Sequence, residues 1–276
     1  MAVSTEVEYT VQGKACRVAD LGSKVAVIVT HPWGPLGGNL HNNVVVAAVL
    51  YFQRLGCTTC RFDFCGTQIG FGNAQVAQLQ EIATKLLNGD FCASGSTNTT
   101  TNPPPKSILL VGYSYGSLIT TSASATISPC LASIAISPPF GVAMWLLLFS
   151  SSSHWQAAAA AAPDLPRLFV LGDQDNFTSE ASLRSTVHQY FTKSKKNNNN
   201  NSHDDNHNTI AIVQGADHFW VRRERDALGV VGQWLTHNIK ALHGELLNLP
   251  HLEFGLNTTK KLATKFHPAV GGNSSS

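Results

Sequence analysis

The sequence has little charge and no marked excess of either sign. Asp, Glu, Lys and Arg together make up 13% of the residues, and the formal net charge is only +2. Proteins that bind nucleic acid usually present a basic stripe or patch, and no such stripe runs through this chain. The composition therefore predicts a protein without a nucleic-acid partner.

Long apolar runs and a secretory leader are missing as well. The longest apolar candidate, residues 142–149, is far shorter than the roughly 20 residues that a membrane-spanning helix needs. The first ten residues, MAVSTEVEYT, have neither the positive region nor the apolar region of a secretory signal. These absences predict a protein that has no membrane span and is located in the cytoplasm.

Cysteine is sparse, with 6 residues among 276. Because the chain is long and shows no secretory signal, reduced and packed thiols are a better interpretation than a disulfide framework. Cys57 and Cys60 form a CxxC pair, but they lie in a predicted strand. A redox CxxC needs an exposed helix N-terminus that lowers the thiol pKa, so a redox function is not favoured.

The chain does contain a regular alternation of short apolar runs and amphipathic segments. The apolar runs predict six strands, over residues 24–30, 57–64, 107–112, 131–137, 167–172 and 209–214. The segments between them predict five helices, over residues 42–55, 73–87, 115–126, 179–191 and 224–242. Strands that are apolar on both faces belong to a parallel sheet covered by helices on each side. We therefore predict a doubly wound, mostly parallel sheet in a three-layer α/β/α arrangement, to which residues 7–19 add one or two antiparallel edge strands.

The length favours one large domain over two. We expect a single α/β domain over residues 1–242 and a C-terminal tail over residues 243–276. Residues 193–208 are asparagine-rich and are predicted to be a disordered insertion, in which histidines have no fixed geometry for a metal. Residues 138–166, between two strands, are predicted to form a small lid.

A motif with chemical meaning, GYSYG at residues 112–116, follows an apolar strand and opens a predicted helix. This strand–turn–helix context is the one that a nucleophile elbow requires. The glycines permit a sharp turn, and the helix N-terminus directs N–H groups at a developing negative charge. The motif predicts that Ser114 is a nucleophile. The alternative is a glycine-rich turn with an incidental serine, which this context makes less favourable.

A serine hydroxyl needs a base, and His218 is best placed to supply it. It lies in the sequence GADHFW, directly after the last predicted strand of the domain. The acid that orients this base is expected in GDQD, after the preceding strand, with Asp175 preferred and Asp173 as the alternative. All three residues follow strands, and ligand sites of open α/β sheets lie at the carboxyl ends of their strands.

An oxyanion hole requires two N–H donors that point at the same position. We assign one donor to the backbone amide of Tyr115, directly after the nucleophile, and the other to the amide of Trp33 in the loop HPWGPLGGN. Trp33, Tyr113 and Phe219 are expected to line the substrate pocket. His31, at the start of the same loop, is interpreted as structural.

Five motifs together resemble one branch of the α/β-hydrolase superfamily, a group of predicted serine hydrolases. The motifs are HPWGPLGGNLHNNVV, RFDFCGTQIGFG, GYSYGS, GDQD and GADHFW, which are spread over most of the chain. The resemblance implies the α/β-hydrolase fold, with Ser114 as nucleophile, Asp175 as acid and His218 as base. The chain departs from the branch at Trp33, where a second histidine is common, and at Cys65, where an arginine is common. The short segment between the strands at 131–137 and 167–172 also indicates a reduced lid. Because of Trp33 and this lid, the chemistry of the pocket is not carried over.

These observations predict a serine hydrolase that cleaves an ester or related acyl bond of a small molecule through an acyl-enzyme intermediate. Such a mechanism needs no cofactor and no metal. A thioesterase or a peptidase with the same triad is an alternative, and so is a non-catalytic receptor or scaffold with a hydrolase-like fold. The acyl group, the leaving group and the oligomeric state are left open.

Overall fold

A nine-stranded sheet organises the computed structural model, which describes residues 5–66, 72–91, 102–140, 151–191, 207–239 and 264–268. The strands, in chain order, are β1 (Val7–Val11), β2 (Lys14–Ala19), β3 (Val25–Thr30), β4 (Thr58–Phe62), β5 (Ser107–Tyr113), β6 (Cys130–Ile136), β7 (Arg167–Gly172), β8 (Asn208–Val213) and β9 (Thr264–Pro268). Their order across the sheet is β1-β2-β4-β3-β5-β6-β7-β8-β9.

The sheet is mostly parallel. All neighbours from β4 to β8 pair in parallel, while β1, β2 and β4 pair antiparallel at one edge. The predicted doubly wound sheet is thus confirmed, and residues 7–19 form the two antiparallel edge strands. Strand β9, which pairs antiparallel with β8, lies within the segment that was predicted to be only a tail. Its five residues, TKFHP, are too few to give a periodic signal in the sequence.

Helices cover both faces of the sheet. They are α1 (Asn43–Arg54), α2 (Asn73–Asn88), α3 (Tyr115–Ala123), α4 (Ser151–Ala161), α5 (Glu180–Phe191) and α6 (Glu224–Asn238). Apolar residues of α1 and α6 pack on one face, and those of α2 to α5 pack on the other. Strand β3 shows why the predicted strands are apolar throughout. Val25, Val27 and Val29 belong to the first core, whereas Ala26 and Ile28 belong to the second.

One predicted boundary differs for a reason that concerns the site. The strand predicted over residues 57–64 ends at Phe62. The backbone N–H of Phe64 donates instead to the imidazole of His31, at 3.0 Å, so the chain has left the sheet by that point. A side-chain acceptor thus replaces the ladder partner that continued strand pairing would have supplied.

The predicted lid and the predicted insertion lie partly outside the described residues, at 141–150 and 192–206. The described part of the lid segment contains α4, which joins β6 to β7. Trp155 of α4 is buried, and its ring packs against Phe140 and Phe191 at centroid distances of 4.5 and 5.7 Å. Helix α4 is therefore a helix of the layer that covers the sheet. Because much of α4 is a run of alanines, the sequence shows no alternation of polar and apolar positions that would have predicted a helix packed on the sheet.

Two further properties of the described residues bear on the sequence predictions. None of the cysteines that the structure describes, at positions 16, 57, 60, 65 and 130, forms a disulfide. Among the helices of the described ranges, none has both the length and the apolar character needed to cross a membrane.

A largely buried ion pair joins the segment before β1 to β4, and it gives a stability test. Arg61 of β4 donates from two nitrogens to the carboxylate of Glu6 and from the third to the carbonyl of Leu40. The two charged side chains are only 9% and 16% exposed, so Glu6→Gln leaves a largely buried guanidinium without its counter-charge. We expect the free energy of unfolding in urea to fall by roughly 1–3 kcal/mol.

The matched control is Glu8→Gln. Glu8 lies two residues after Glu6 and pairs with Arg17. The Arg17–Glu8 pair is 34% and 58% exposed, so water screens it, and we expect a loss below about 0.5 kcal/mol. If the free energy of unfolding fell equally in Glu6→Gln and Glu8→Gln, burial would not be what makes the Arg61–Glu6 pair important.

Candidate active site

Ser114 lies on a sharp turn between β5 and α3. Its backbone has φ 52° and ψ −121°, a strained conformation for a residue that carries a Cβ. The two flanking glycines permit this turn. A Cβ on Gly112 would lie 2.4 Å from the Cα of Ser117, and a Cβ on Gly116 would lie 2.5 Å from Oγ1 of Thr30. The spacing of the glycines in GYSYG is thus required by close approaches of neighbouring segments on both sides of the serine.

The structure brings Ser114, His218 and Asp175 together in a line of hydrogen bonds. The Nε2 atom of His218 lies 3.0 Å from Oγ of Ser114, and its Nδ1 atom lies 2.9 Å from Oδ2 of Asp175. The His218 side chain is 6% exposed and that of Asp175 is fully buried. The three residues come from the loops after β5, β8 and β7, at the carboxyl ends of these parallel strands. This geometry suits proton transfer between the serine and the imidazole.

The second carboxylate oxygen of Asp175 is also occupied. Oδ1 accepts hydrogen bonds from the backbone N–H groups of Phe177 and Thr178, at 2.8 and 3.1 Å. The hydroxyl of Thr178 donates to the carbonyl of Pro138, which ties this loop to the end of β6. The carboxylate is therefore held on both oxygens, and its orientation toward His218 is fixed.

Asp173, the alternative acid, has a different environment. Its carboxylate is exposed and accepts a hydrogen bond from the backbone N–H of Gly215, at 2.6 Å. It thereby joins the loop after β7 to the loop after β8. Both loops are also held close together because Gly172 has no side chain: a Cβ there would lie 2.0 Å from the carbonyl oxygen of Ala216.

The loop that carries His218 is rigid for local reasons. Oδ1 of Asp217 accepts from the backbone N–H groups of Phe219 and Trp220, both at 3.0 Å, which closes a tight turn around the histidine. The indole N–H of the buried Trp220 donates to the hydroxyl of Ser137 at the end of β6, at 2.9 Å. The turn that carries His218 is thus fixed by its own hydrogen bonds to Asp217 and by the bond from Trp220 to the end of β6.

Two phenyl rings lie against the imidazole of His218. The ring of Phe177 lies 4.2 Å from it and that of Phe219 lies 5.6 Å away, and the two phenyl rings contact each other at 6.0 Å. Phe219 is 54% exposed, as expected for a residue at the rim of a site. Phe177 was not predicted. The signal that the sequence offered was an aromatic residue two positions after Asp175.

Tyr113 lies elsewhere than expected. It was predicted to line the pocket, but it is only 2% exposed and belongs to the core under α1 and α6. Successive side chains of a strand point to opposite faces, which directs this last residue of β5 into the core. Its hydroxyl donates to the carbonyl of His218, at 2.8 Å. Burial raises the pKa of the Tyr113 phenol, and nearby carboxylates add to the rise, so it stays protonated as a donor.

The loop HPWGPLGGN lies directly against the turn that carries Ser114. The carbonyl of His31 and the side chain of Thr30 border Gly116 so closely that no Cβ would fit between them. The carbonyl of Trp33 accepts from the N–H groups of Leu36 and Gly38, each at 3.1 Å, which folds the loop on itself. Trp33 is half-buried against the core, and Tyr115 is the first residue of α3. The two predicted oxyanion donors thus belong to segments that are in contact.

Within the ranges that the structure describes, no three His, Cys, Asp or Glu side chains form a group that could hold a metal ion.

No protein-family model matches the chain, and no curated protein is similar to it in sequence. Solved structures do match it. An α/β serine hydrolase homologue from Coxiella burnetii has a TM-score of 0.57 at 20% identity, over 84% of this chain and 97% of that one. An α/β serine hydrolase without a lid from Xanthomonas campestris has a TM-score of 0.61 at 19% identity, over 87% and 97%. A Pyrococcus furiosus esterase has a TM-score of 0.61 at 15% identity, over 85% and 91%. The chain has the α/β-hydrolase fold.

These matches confirm the fold that the five motifs implied. They also give a context for the predicted lid. The Xanthomonas campestris protein is described as having no lid, and in the present chain the described part of the lid segment packs on the sheet as α4.

The hydroxyl of Tyr113 provides a test of how His218 is held. Tyr113→Phe removes only the hydrogen bond to the His218 carbonyl and keeps the ring. We expect the free energy of unfolding to fall by about 1 kcal/mol and the rate at which Ser114 reacts with a fluorophosphonate to fall about 3- to 10-fold.

The matched control is Tyr9→Phe, which removes a hydrogen bond from a tyrosine hydroxyl to the carbonyl of Phe91 at the edge of the sheet. It should cost similar stability and leave the labelling rate unchanged. A Tyr113→Phe protein that reacts at the wild-type rate would show that this hydroxyl does not position His218.

Proposed function

We propose that the protein is a serine hydrolase that cleaves an ester or a related acyl bond, with Ser114 as its nucleophile. The observation that carries the proposal is the hydrogen-bonded line from Ser114 through His218 to Asp175, at 3.0 and 2.9 Å. The presence of serine hydrolases and esterases among proteins of the same fold supports it.

In the first half of the reaction, Oγ of Ser114 attacks the carbonyl carbon of the substrate while its proton moves to Nε2 of His218. The carboxylate of Asp175 holds the imidazole in the required tautomer and stabilises its positive charge. The bond from the carbonyl carbon to the leaving oxygen then breaks. That oxygen takes the proton from His218, and the acyl group remains on Ser114.

In the second half, a water molecule gives a proton to His218 and attacks the acyl carbon. The bond between that carbon and Ser114 breaks, Ser114 recovers the proton from His218, and the acid product is released. None of these steps requires a metal or an organic cofactor, so we propose that the enzyme works without one.

The negative charge that forms on the substrate oxygen needs donors that are already in position. We propose the backbone N–H of Tyr115, at the positive end of α3, and that of Trp33. Trp33 and Phe219 would line the pocket as predicted, and Phe177 joins them in place of Tyr113. Since the proton for the leaving group comes from His218, the leaving group would contact Phe177 and Phe219.

A fluorophosphonate probe tests the nucleophile directly. We expect wild-type protein to be labelled covalently and Ser114→Ala to remain unlabelled, as detected by intact-protein mass spectrometry. Ser185→Ala, which alters an exposed serine on α5, is the control and should label as wild type does. Wild-type protein that takes up no probe, and hydrolyses no member of an ester panel, would favour a non-catalytic receptor or scaffold.

The two aspartates after β7 give a second test. In Asp175→Asn the amide can no longer hold His218 in the tautomer that accepts the serine proton, so we expect kcat to fall on the order of 10³- to 10⁴-fold. In Asp173→Asn the amide oxygen can still accept from Gly215, so we expect kcat within about threefold of wild type. A large loss in Asp173→Asn with little loss in Asp175→Asn would reverse the assignment.

A further inference from the structure

The imidazole of His31 holds the peptide bond that precedes Trp33. Nδ1 of His31 lies 2.6 Å from the carbonyl oxygen of Pro32. A carbonyl can only accept, so Nδ1 carries the proton and donates it. The Pro32–Trp33 peptide is trans, and its C=O and N–H therefore point in opposite directions within one plane. A contact that fixes the Pro32 carbonyl also fixes the direction of the Trp33 N–H.

The other ring nitrogen of His31 is fixed as well. Nε2 accepts the backbone N–H of Phe64 at 3.0 Å, and the ring of Phe64 packs against the imidazole at 4.4 Å. His31 is 1% exposed, and this burial lowers its pKa, which favours the neutral form that both hydrogen bonds require. Asp63 lies 4.0 Å from Nε2, but its Oδ1 accepts the N–H of Leu40 at 2.8 Å. We therefore treat His31 as neutral, with its proton on Nδ1.

The segment that bonds to His31 is itself held by helix α2. The buried side chain of Gln78 accepts the N–H of Cys65 at 2.8 Å and donates to the carbonyl of Asp63 at 3.1 Å. The buried Gln75 donates to the carbonyl of Cys65 at 2.6 Å. A continuous set of hydrogen bonds thus runs from α2, through the residues after β4, to His31 and the Pro32 carbonyl.

Gly38 confines the same carbonyl from another direction. A Cβ on Gly38 would lie 2.1 Å from the oxygen of Pro32 and 2.5 Å from its carbonyl carbon. The N–H of Gly38 donates to the carbonyl of Trp33, at 3.1 Å. The peptide plane between Pro32 and Trp33 is therefore held by a hydrogen bond at its oxygen and by close backbone packing beside it.

We propose that His31 is a positioning residue for the oxyanion hole, and that its Nδ1–H bond to the Pro32 carbonyl orients the Trp33 amide toward the oxyanion. His31 does not touch the substrate and acts through Trp33. The inference rests on the proposed function, because it assumes that Ser114 generates an oxyanion.

Three substitutions separate the two hydrogen bonds of the imidazole. His31→Asn keeps a donor near the position of Nδ1, His31→Gln keeps an acceptor near the position of Nε2, and His31→Leu keeps neither. We expect kcat for a neutral ester to fall about 10- to 100-fold in His31→Leu, below the 10²- to 10³-fold cost of deleting an oxyanion donor outright. His31→Asn should recover most of the loss and His31→Gln little of it, with KM nearly constant in all three. The control is His41→Leu, which alters an exposed histidine just after the loop HPWGPLGGN and should behave as wild type.

A spectroscopic measurement tests the orientation without relying on turnover. The chain has five tryptophans, so protein labelled with ¹⁵N-tryptophan gives five backbone amide signals. The Trp33 signal can be assigned because it disappears in Trp33→Phe. We expect this signal to shift in His31→Leu and His31→Gln and to return toward its wild-type position in His31→Asn, while the other four signals stay in place.

The outcomes distinguish the inference from the proposed function. If wild-type protein neither labels nor hydrolyses any ester, the proposed function fails, whatever the amide signal of Trp33 does. If wild-type protein is active but His31→Gln matches or exceeds His31→Asn, the bond to Pro32 is not the important one and the inference is wrong. It is also wrong if kcat and the Trp33 signal are unchanged in both variants. Should His31→Leu fail to fold, the comparison of Asn with Gln decides the question alone.

Discussion

The close approach of Gly116 to the end of β3 is the constraint on which the site depends. The turn that carries Ser114 and the loop HPWGPLGGN are in direct backbone contact, because a Cβ on Gly116 would lie 2.6 Å from the carbonyl oxygen of His31. The Thr30 hydroxyl adds a hydrogen bond to the carbonyl of Gly116, at 3.0 Å. Two amides from distant parts of the chain can serve one oxygen only if this separation is set by backbone packing.

Rigidity around this contact comes from many short hydrogen bonds and not from one strong interaction. His218 is held at both ring nitrogens and at its carbonyl, and Asp175 is held at both oxygens. Each bond is worth little by itself in free energy, but a catalytic group that is fixed in this way loses no time or energy in reorienting during the reaction. The same construction recurs at His31, with both ring nitrogens engaged.

The sequence predicted the features that depend on local pattern. Strands apolar on both faces, helices between them and the motif around Ser114 are all visible within short windows. Two strand-end loops each held one candidate, Ser114 and His218, whereas the loop after β7 held two, Asp173 and Asp175. Tyr113 was misplaced because a motif does not say into which face of the sheet a flanking side chain points. The contacts of His31 with Phe64 and of Phe177 with His218 join segments whose pairing depends on the whole fold, so no local signal reports them. Strand β9 and helix α4 lacked a polar–apolar period.

The backbone of Ser114 has a consequence for how this chain can change. A side chain at φ 52° and ψ −121° costs on the order of 1–3 kcal/mol, whereas glycine adopts such angles with little strain. Selection for thermal stability alone would therefore place glycine at position 114. A serine at this position means that the surrounding core must offset the cost of its backbone conformation, and a single substitution by glycine would recover that stability.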